Sequence, residues 1–336
     1  MVGRTAIVGA GIAGLTARQV LTAAGMDVDL FDKGRGPGGR TSRRGIDQWH
    51  FDHGAQYFTA RAPEFIQAVN RWTEEGHTAL WEPRIGSLMD GEFLESRGSV
   101  QRFVGVPGMN QVAKRLLEEG SSSSGSTSFE TTITTVRPGW FLRDTDDVEY
   151  GPYEKLIVTT PPAQARALVP QESSAQVPLI GAEADPCWAL MVALDEPIDT
   201  PFDAAFIRDG SIRWIARNNS KPGRPDAESW VFHADPVWSD RNIESTPQEV
   251  VDELTAHAGD LLKPWLPEGF PPGIRAVAHR WRYAQPRSFP GNTLPDDFWW
   301  SPEENLGLCG DWCCAGRVEG AYLSGLRLAR RILDAR

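Results

Sequence analysis

The chain opens on a short, largely apolar run at residues 5–8, followed after a glycine pair by apolar positions at helical spacing through 12–24. The run reads as a strand buried on both faces, and the segment behind it as the helix that packs back onto it. A second strand is expected at 27–31, ending in Asp32. Residues 63–81 place Phe65, Ile66, Val69 and Trp72 on one helical face, with Pro63 suited to the first turn, so an amphipathic helix is expected there. The turn Gly105-Val106-Pro107-Gly108 precedes a second helix at 109–118, and the serine-rich stretch 121–126 reads as a flexible turn. Short β-prone runs over 129–150 suggest a meander, and 156–160, stopped by Pro161 and Pro162, reads as a strand returning to a parallel sheet. Further runs at 187–194, 204–214 and 230–234, with eight of the thirteen tryptophans between Trp188 and Trp300, suggest a second, mostly antiparallel sheet. A last strand at 305–309 and an amphipathic helix at 318–333 close the chain.

Glycine placement gives the first strand and helix a chemistry. In Gly9-Ala10-Gly11-Ile12-Ala13-Gly14, Gly9 permits a tight turn, Gly11 a close backbone approach to a pyrophosphate, and Gly14 close packing of helix on strand. Phosphates are expected over Ile12 and Ala13, where the helix N-terminus offers N–H groups and the positive end of its dipole. Asp32 stands where an acid accepts ribose hydroxyls, and it would repel a 2′-phosphate. The glycine pattern alone leaves NAD and FAD open. The following Lys33-Gly34-Arg35-Gly36-Pro37-Gly38-Gly39-Arg40 adds flexible, cationic backbone that a long FAD needs and a bound NAD usually does not, which favours FAD; a solvated basic loop is the alternative reading. Lys33 and Gly39 are expected at the cofactor, and Arg40 on its pyrophosphate or flavin side, because a guanidinium binds phosphate oxygens bidentately.

At the other end, Asp311 falls at the carboxyl end of the last strand and can accept a ribityl hydroxyl, with a plain helix cap as the alternative. The amides of Arg317 and Val318 can face the flavin edge where negative charge develops on reduction, a dipole contribution of about 0.3–1 kcal/mol. Between these ends, Gly54, Ala55 and Gln56 are small or amide residues that let backbone lie against a flat ring, with Gln56 bonding to a ring or carboxamide. Tyr57, Phe58 and Arg61 offer stacking, an apolar wall and a phosphate contact; a half-buried strand with ordinary aromatic packing is the competing reading. Val136 is a candidate for the adenine side, against an ordinary core role. The fold expected is α/β: a Rossmann-type FAD-binding domain from 1–62, 97–164 and 285–336, beside an α+β substrate domain from 63–96 and 165–284.

Composition narrows this further. The 336 residues suffice for one large or two medium domains. Residues 1–15 lack a signal layout and no run of about 18 apolar residues exists, so a soluble, cytoplasmic protein without membrane partners is expected. With 34 basic and 45 acidic residues the net charge is −11, which disfavours nucleic acid. The cysteines Cys187, Cys309, Cys313 and Cys314 have no zinc-type spacing, and no metal is expected. The vicinal pair is a poor disulfide candidate, and although it lies near the flavin site, small buried residues and a non-covalent flavin are the simpler expectation.

Taken together, the glycine turn, Phe31-Asp32-Lys33 with Gly38-Gly39-Arg40, Asp52-His53-Gly54-Ala55-Gln56-Tyr57-Phe58, His279-Arg280-Trp281-Arg282-Tyr283, and Gly310-Asp311 with Val318-Glu319-Gly320-Ala321 resemble the bacterial renalase family of amine-oxidase-type flavoproteins over almost the whole chain. The first and last motifs are shared across the superfamily; the middle ones discriminate more. The resemblance implies an oxidase that takes the 2- and 6-dihydro isomers of NAD(P) to NAD(P)+, with electrons passing from FAD to oxygen to give hydrogen peroxide. Hydride transfer to flavin N5 needs no catalytic base, and no catalytic side chain is assigned; the protein must stack the nicotinamide and anchor its tail. Residue chemistry and position nominate Tyr57, Phe58, Thr59, Arg61, Ser96, Arg97, Gly98, Trp188, His279 and Trp281 as substrate contacts. Two alternatives stay open: an amine oxidase or desaturase sharing both flavin motifs, and a non-enzymatic binding protein on the same fold.

Overall fold

The computed structural model describes residues 3–98, 100–121, 125–287, 294–314 and 316–335, so part of the serine-rich turn at 121–126 lies outside them. The first sheet has six strands in the order Trp299–Ser301, Leu306–Leu308, Lys155–Val158, Thr5–Val8, Val28–Phe31 and Thr127–Ser128. All neighbours are parallel except Trp299–Ser301, which runs antiparallel to Leu306–Leu308. Side-chain alternation splits the sheet's two faces between two cores. Ile7, Leu30 and Ile157 face the helices Ile12–Ala23, Gln111–Glu119 and Arg317–Asp334, whereas Ala6, Val8, Phe31, Leu156 and Val158 face a meander and the helix Pro162–Leu168. That meander, Ile133–Arg137, Phe141–Asp144 and Glu149–Tyr150, is the three-stranded sheet anticipated over 129–150.

The second sheet has seven strands: Arg275–Pro286, Ala184–Ala193, Ser229–Ala234, Ile212–Arg217, Ala204–Ile207, Ile85–Met89 and Glu92–Glu95. It is antiparallel apart from the pairing of Ala204–Ile207 with Ile85–Met89. Its outer face, with Trp188, Leu190, Val192, Trp230 and Phe232, buries the apolar stripe of helix Pro247–Leu262, which begins with a Thr246/Glu249 capping box. Its inner face turns toward the first domain: Met191, Ala193 and Val231 meet Trp49 and Phe51, while Trp214, Ala216 and Ala204 join the core under the first sheet.

Two expectations change. The helix anticipated over 63–81 is Pro63–Glu74; Gly76, with φ +79°, ends it, and Thr78–Trp81 is a strand paired antiparallel with Arg102–Gly105. Periodicity misled because Trp81 is buried in a sheet rather than on a helix. The run 204–214 is two strands around Gly210, whose φ is +106°. Phe65 and Trp72 pack on Tyr322 of the closing helix, with ring centroids 5.1 and 5.8 Å apart. Ala165, Leu168 and Leu179 share a core with Ala6, Val8 and Leu156 of the first sheet. Among the described residues, no helix is long and apolar enough to cross a membrane.

Candidate active site

The turn after the first strand is built as its glycines demand. Gly9 has φ +116° and donates its N–H to Phe31 O at 2.8 Å; a Cβ on Gly14 would stand 2.0 Å from Gly9 O. Gly11 differs: a Cβ there would meet no protein atom within 4 Å, so packing does not require glycine at this position. Close approach of a phosphate does, and the helix behind it, at Ile12 and Ala13, has no side-chain cap. This donor set fits a dinucleotide. Asp32 is fixed at the end of the second strand, its Oδ2 accepting from Ala10 N and its Oδ1 from Gly34 N, both at 2.6 Å. The second lone pair on each oxygen remains for ribose hydroxyls.

The loop carrying Arg40 closes over this turn. Gly38 N donates to Ala10 O at 2.9 Å, and a Cβ on Gly39, where φ is +53°, would stand 3.8 Å from Gly11 Cα. Arg40 O accepts from Ala55 N at 2.9 Å, and Gly54 presses so close that a Cβ would come within 2.0 Å of that oxygen. The guanidinium was expected on the pyrophosphate or flavin side of the cofactor. It binds Asp311 bidentately at 2.7 and 2.6 Å and reaches Ala284 O at 3.2 Å, a strut joining the glycine loop, the C-terminal turn and the second domain. Asp311 was the buried acid available to it, and a fork-on-carboxylate pair is strong.

The two ends of the chain do meet. A Cβ on Gly325 of helix Arg317–Asp334 would lie 2.2 Å from Ala13 O, so the closing helix rests directly on the first. Its entrance is Gly316, φ +78°, and Arg317, φ +72°, a conformation costly for a side-chain-bearing residue. Gly310 N donates to Ser324 Oγ at 3.0 Å, and Glu319 Oε1 accepts from Arg61 N and Ala62 N, each at 2.7 Å. Gly39 thus lies against Gly11, Gly54 and Ala55 against Arg40, and Arg40 against Asp311, while Arg317 and Val318 open the helix that rests on Ala13. Lys33 is exposed beside Asp32, and Val136 sits in the core with Val8 and Phe31.

Gln56 is bonded on both ends of its amide: Nε2 donates to Asp52 O and, at 3.1 Å, to Gly54 O, while Oε1 accepts from Lys221 Nζ at 3.0 Å. The Phe58 ring lies in the core, 5.8 Å from Phe65 and 6.0 Å from Phe103. Trp188 is on the wrong face of its strand, its indole N–H donating to Asn242 O at 2.9 Å beneath helix Pro247–Leu262. Ser96, Arg97 and Gly98 are exposed beyond the outermost strand, at the opposite edge of the sheet from His279 and Trp281. Thr59 is half-buried and Arg61 exposed, tied to the site through its backbone.

The remaining candidates lie on the inner face. Trp281 stacks on His53 (5.0 Å, 27°) and donates its indole N–H to His53 O at 3.0 Å; His279 meets the same imidazole edge-on at 4.6 Å. Burial chiefly, and then neighbouring cationic groups, hold the His53 pKa down to about 3 and that of His279 to about 4; burial likewise puts His233 near 4. All three are neutral at pH 7. Tyr57 sits 6.0 Å from Trp81 and 5.9 Å from Trp214, with the Arg102 guanidinium 5.6 Å over its ring. Burial raises the thiols of Cys309 and Cys313 far above their usual pKa, which suppresses the thiolate a flavin thioether would need. Among the described residues there is no cluster of metal-ligating side chains.

Lys221, Arg224, Asn218, Ser324 and Gly325 escaped sequence reasoning. The polar stretch Asn218-Asn219-Ser220-Lys221-Pro222-Gly223-Arg224 between two apolar strands was the available signal.

Comparison with known proteins agrees with this geometry. A family model described as NAD(P)-binding Rossmann-like domain matches residues 7–72, and one described as flavin containing amine oxidoreductase matches 86–333. Hydroxyneurosporene desaturase of Rubrivivax gelatinosus is 47% identical over 124 residues, 30% of this chain and 23% of that protein. The zeta-carotene-forming phytoene desaturase of Myxococcus xanthus is 45% identical over 79 residues, 23% of this chain and 15% of that protein. These matches span well under two thirds of either desaturase. In fold, a putative protoporphyrinogen oxidase from Exiguobacterium sp. superposes with TM-score 0.78 at 12% identity, and putrescine oxidase bound to putrescine with 0.71 at 14%, each over 99% of both chains. With the second family model covering most of the chain and the closing helix resting on the helix behind the glycine turn, the protein belongs to the flavin-containing amine oxidoreductases, and FAD is its cofactor.

Proposed function

We propose that this protein is a renalase-like oxidase, taking 2- and 6-dihydro isomers of NAD(P) to NAD(P)+ and passing the electrons to oxygen with release of hydrogen peroxide. FAD held between the two chain ends supplies the two-electron acceptor. One observation carries the reading: the buried carboxylates at the two chain ends and beneath the Gly54–Gln56 strip already have partners within the protein. Asp311 is bound by Arg40, Glu319 by two backbone amides, and Asp52 by both Lys221 and Arg224. A cationic amine would have to compete with these partners for a carboxylate. A neutral dihydronicotinamide with an anionic tail suits the neutral imidazoles of His53 and His279, the Trp281 ring, and Arg102 over Tyr57. In this reading Tyr57, His279 and Trp281 orient the ring, and Arg102 draws in the phosphates. The net charge of −11 leaves nucleic acid an unfavourable partner.

The test is anaerobic mixing of the yellow protein with separated dihydronicotinamide isomers and with primary amines and polyamines, following flavin absorbance. Bleaching by a dihydronicotinamide isomer and not by amines is the expected result; the reverse pattern refutes the proposal. A desaturase is the second reading, favoured by the stretches shared with two carotenoid desaturases and by Phe206 and Leu94, 44% and 59% exposed. Bleaching by a detergent-dispersed polyene alone would select it.

A further inference from the structure

Beneath the Gly54–Gln56 strip lies a buried charge cluster with no part in the proposed reaction beyond its sign. Asp52, 1% exposed, accepts from Met109 N at 2.9 Å and from Arg224 at 3.1 and 2.5 Å, with Lys221 Nζ 3.5 Å away. Lys221 is 2% exposed and donates to Gln56 Oε1 at 3.0 Å and to Asn218 Oδ1 at 3.3 Å. Asn218 Oδ1 also accepts from Asp52 N at 3.2 Å. Three segments distant in sequence therefore meet at one carboxylate: the strip itself, the turn at Met109, and residues 218–224 leaving the second sheet.

The sum of charges is informative. One carboxylate faces two cations, and the further oxygens that bind those cations are neutral: Gln56, Asn218, Gly105 O and Pro222 O. Surplus charge inside a protein is costly unless something uses it. Ala55 N bonds Arg40 O, and Arg40 bonds Asp311, so the strip that Lys221 holds is tied to the glycine loop and the C-terminal turn, whose residues would hold FAD. Two-electron reduction adds negative charge to that cofactor, and a fixed cation nearby favours the reduced form.

We propose that Lys221 is a positioning residue of the FAD pocket: through Gln56 it fixes the Gly54–Gln56 strip from the second domain, and its surplus positive charge raises the reduction potential of bound FAD. This rests on FAD as cofactor and is independent of the substrate. Burial, opposed by Asp52, holds the Lys221 pKa down to about 8. The charged and titratable groups facing it are Asp52, Arg224 and His233, with Arg43 beside Asp52. Asp52 is held below the usual carboxylate range by its two cations, His233 is neutral above about 4, and guanidinium groups stay charged, so Lys221 is the member that titrates between pH 7 and 9.

The experiment is a dye-referenced reductive titration of the FAD-loaded protein without any nicotinamide, on wild type, Lys221→Met and Lys221→Arg, across pH 7 to 9. Lys221→Met is expected to lower the equilibrium constant for reduction about tenfold, which is about 30 mV for a two-electron couple. Lys221→Arg is expected to keep the wild-type potential at pH 7. The wild-type potential is expected to fall more steeply with pH than that of Lys221→Arg, because reduction raises proton binding at Lys221 and arginine does not titrate. A folded, FAD-replete Lys221→Met with wild-type potential overturns the proposal. Should that variant fail to retain FAD, equal pH slopes in wild type and Lys221→Arg overturn it by themselves. A colourless wild-type protein would instead sink the flavin assignment.

Discussion

Gly325→Ala probes the meeting of the two chain ends most directly. The added Cβ would stand 2.2 Å from Ala13 O and 2.9 Å from Ala13 C. Carbon–oxygen contacts normally sit at about 3.3 Å or beyond, so the closing helix must retreat by about 1 Å. Two effects oppose each other. Alanine in a helix interior is intrinsically better than glycine by about 1 kcal/mol. Overpacking costs about 1–3 kcal/mol, and here the atoms opposite are backbone, which no rotamer change relieves, so the upper end applies and the clash wins by about 2 kcal/mol. The retreat carries Arg317 and Val318 away from Ala13, so FAD should bind on the order of tenfold to thirtyfold more weakly, at 1.4 kcal/mol per decade. The assay is titration of apoprotein with FAD by fluorescence quenching, paired with urea unfolding. Gly259→Ala is the control: it lies in helix Pro247–Leu262 with its nearest contact, Phe270 Cδ2, at 3.9 Å, so propensity acts alone and stability should hold or rise. If Gly325→Ala binds FAD as wild type does and is as stable as Gly259→Ala, the packing argument is wrong.

Asp52→Asn leaves Lys221 and Arg224 buried without their counter-charge and should lose about 3–5 kcal/mol in urea unfolding; a loss under about 1 kcal/mol would contradict the cluster's energetics. His53, His233 and His279 have pKa values of about 3, 4 and 4 in the folded protein against 6.5 for an unperturbed imidazole. The unfolded chain therefore binds more protons below pH 6.5, so stability is complete above that value and is lost as pH falls toward 4. Thermal melts from pH 7 to pH 4.5 should fall steeply, His53→Phe should flatten part of the drop, and a level profile in wild type would refute the burial of these rings. Denaturation should release all the flavin into solution, with the protein mass unchanged; a retained flavin adduct would mean that Cys314 or a neighbour forms the bond its environment disfavours.

Local physics made much of this molecule readable. The glycine turn, Asp32, the closing motif and the strand–helix alternation of the first domain are contiguous in sequence, and each carries its own reason: a backbone that must approach phosphate, an acid at a strand end, a helix N-terminus. Misreadings arose where periodicity could not tell neighbours apart. Trp188 and Trp281 are both strand tryptophans, yet one lies under helix Pro247–Leu262 and the other against His53, because Trp281 pairs with Cys187, the neighbour of Trp188, and side chains alternate between faces. Residues 75–81 extended a helical pattern although Gly76 had already turned the chain into a strand.

What the amino-acid order determined alone is the cofactor chemistry and the two-sheet plan, since those follow from short-range spacing and composition. What only the folded chain decided is how polar groups were shared: Arg40 with Asp311, Gln56 with Lys221, and Asp52 with two cations from the second sheet's side of the molecule. Partners separated by 165 to 271 residues are chosen by packing and by the cost of leaving a buried charge unmatched, and no local pattern encodes that choice.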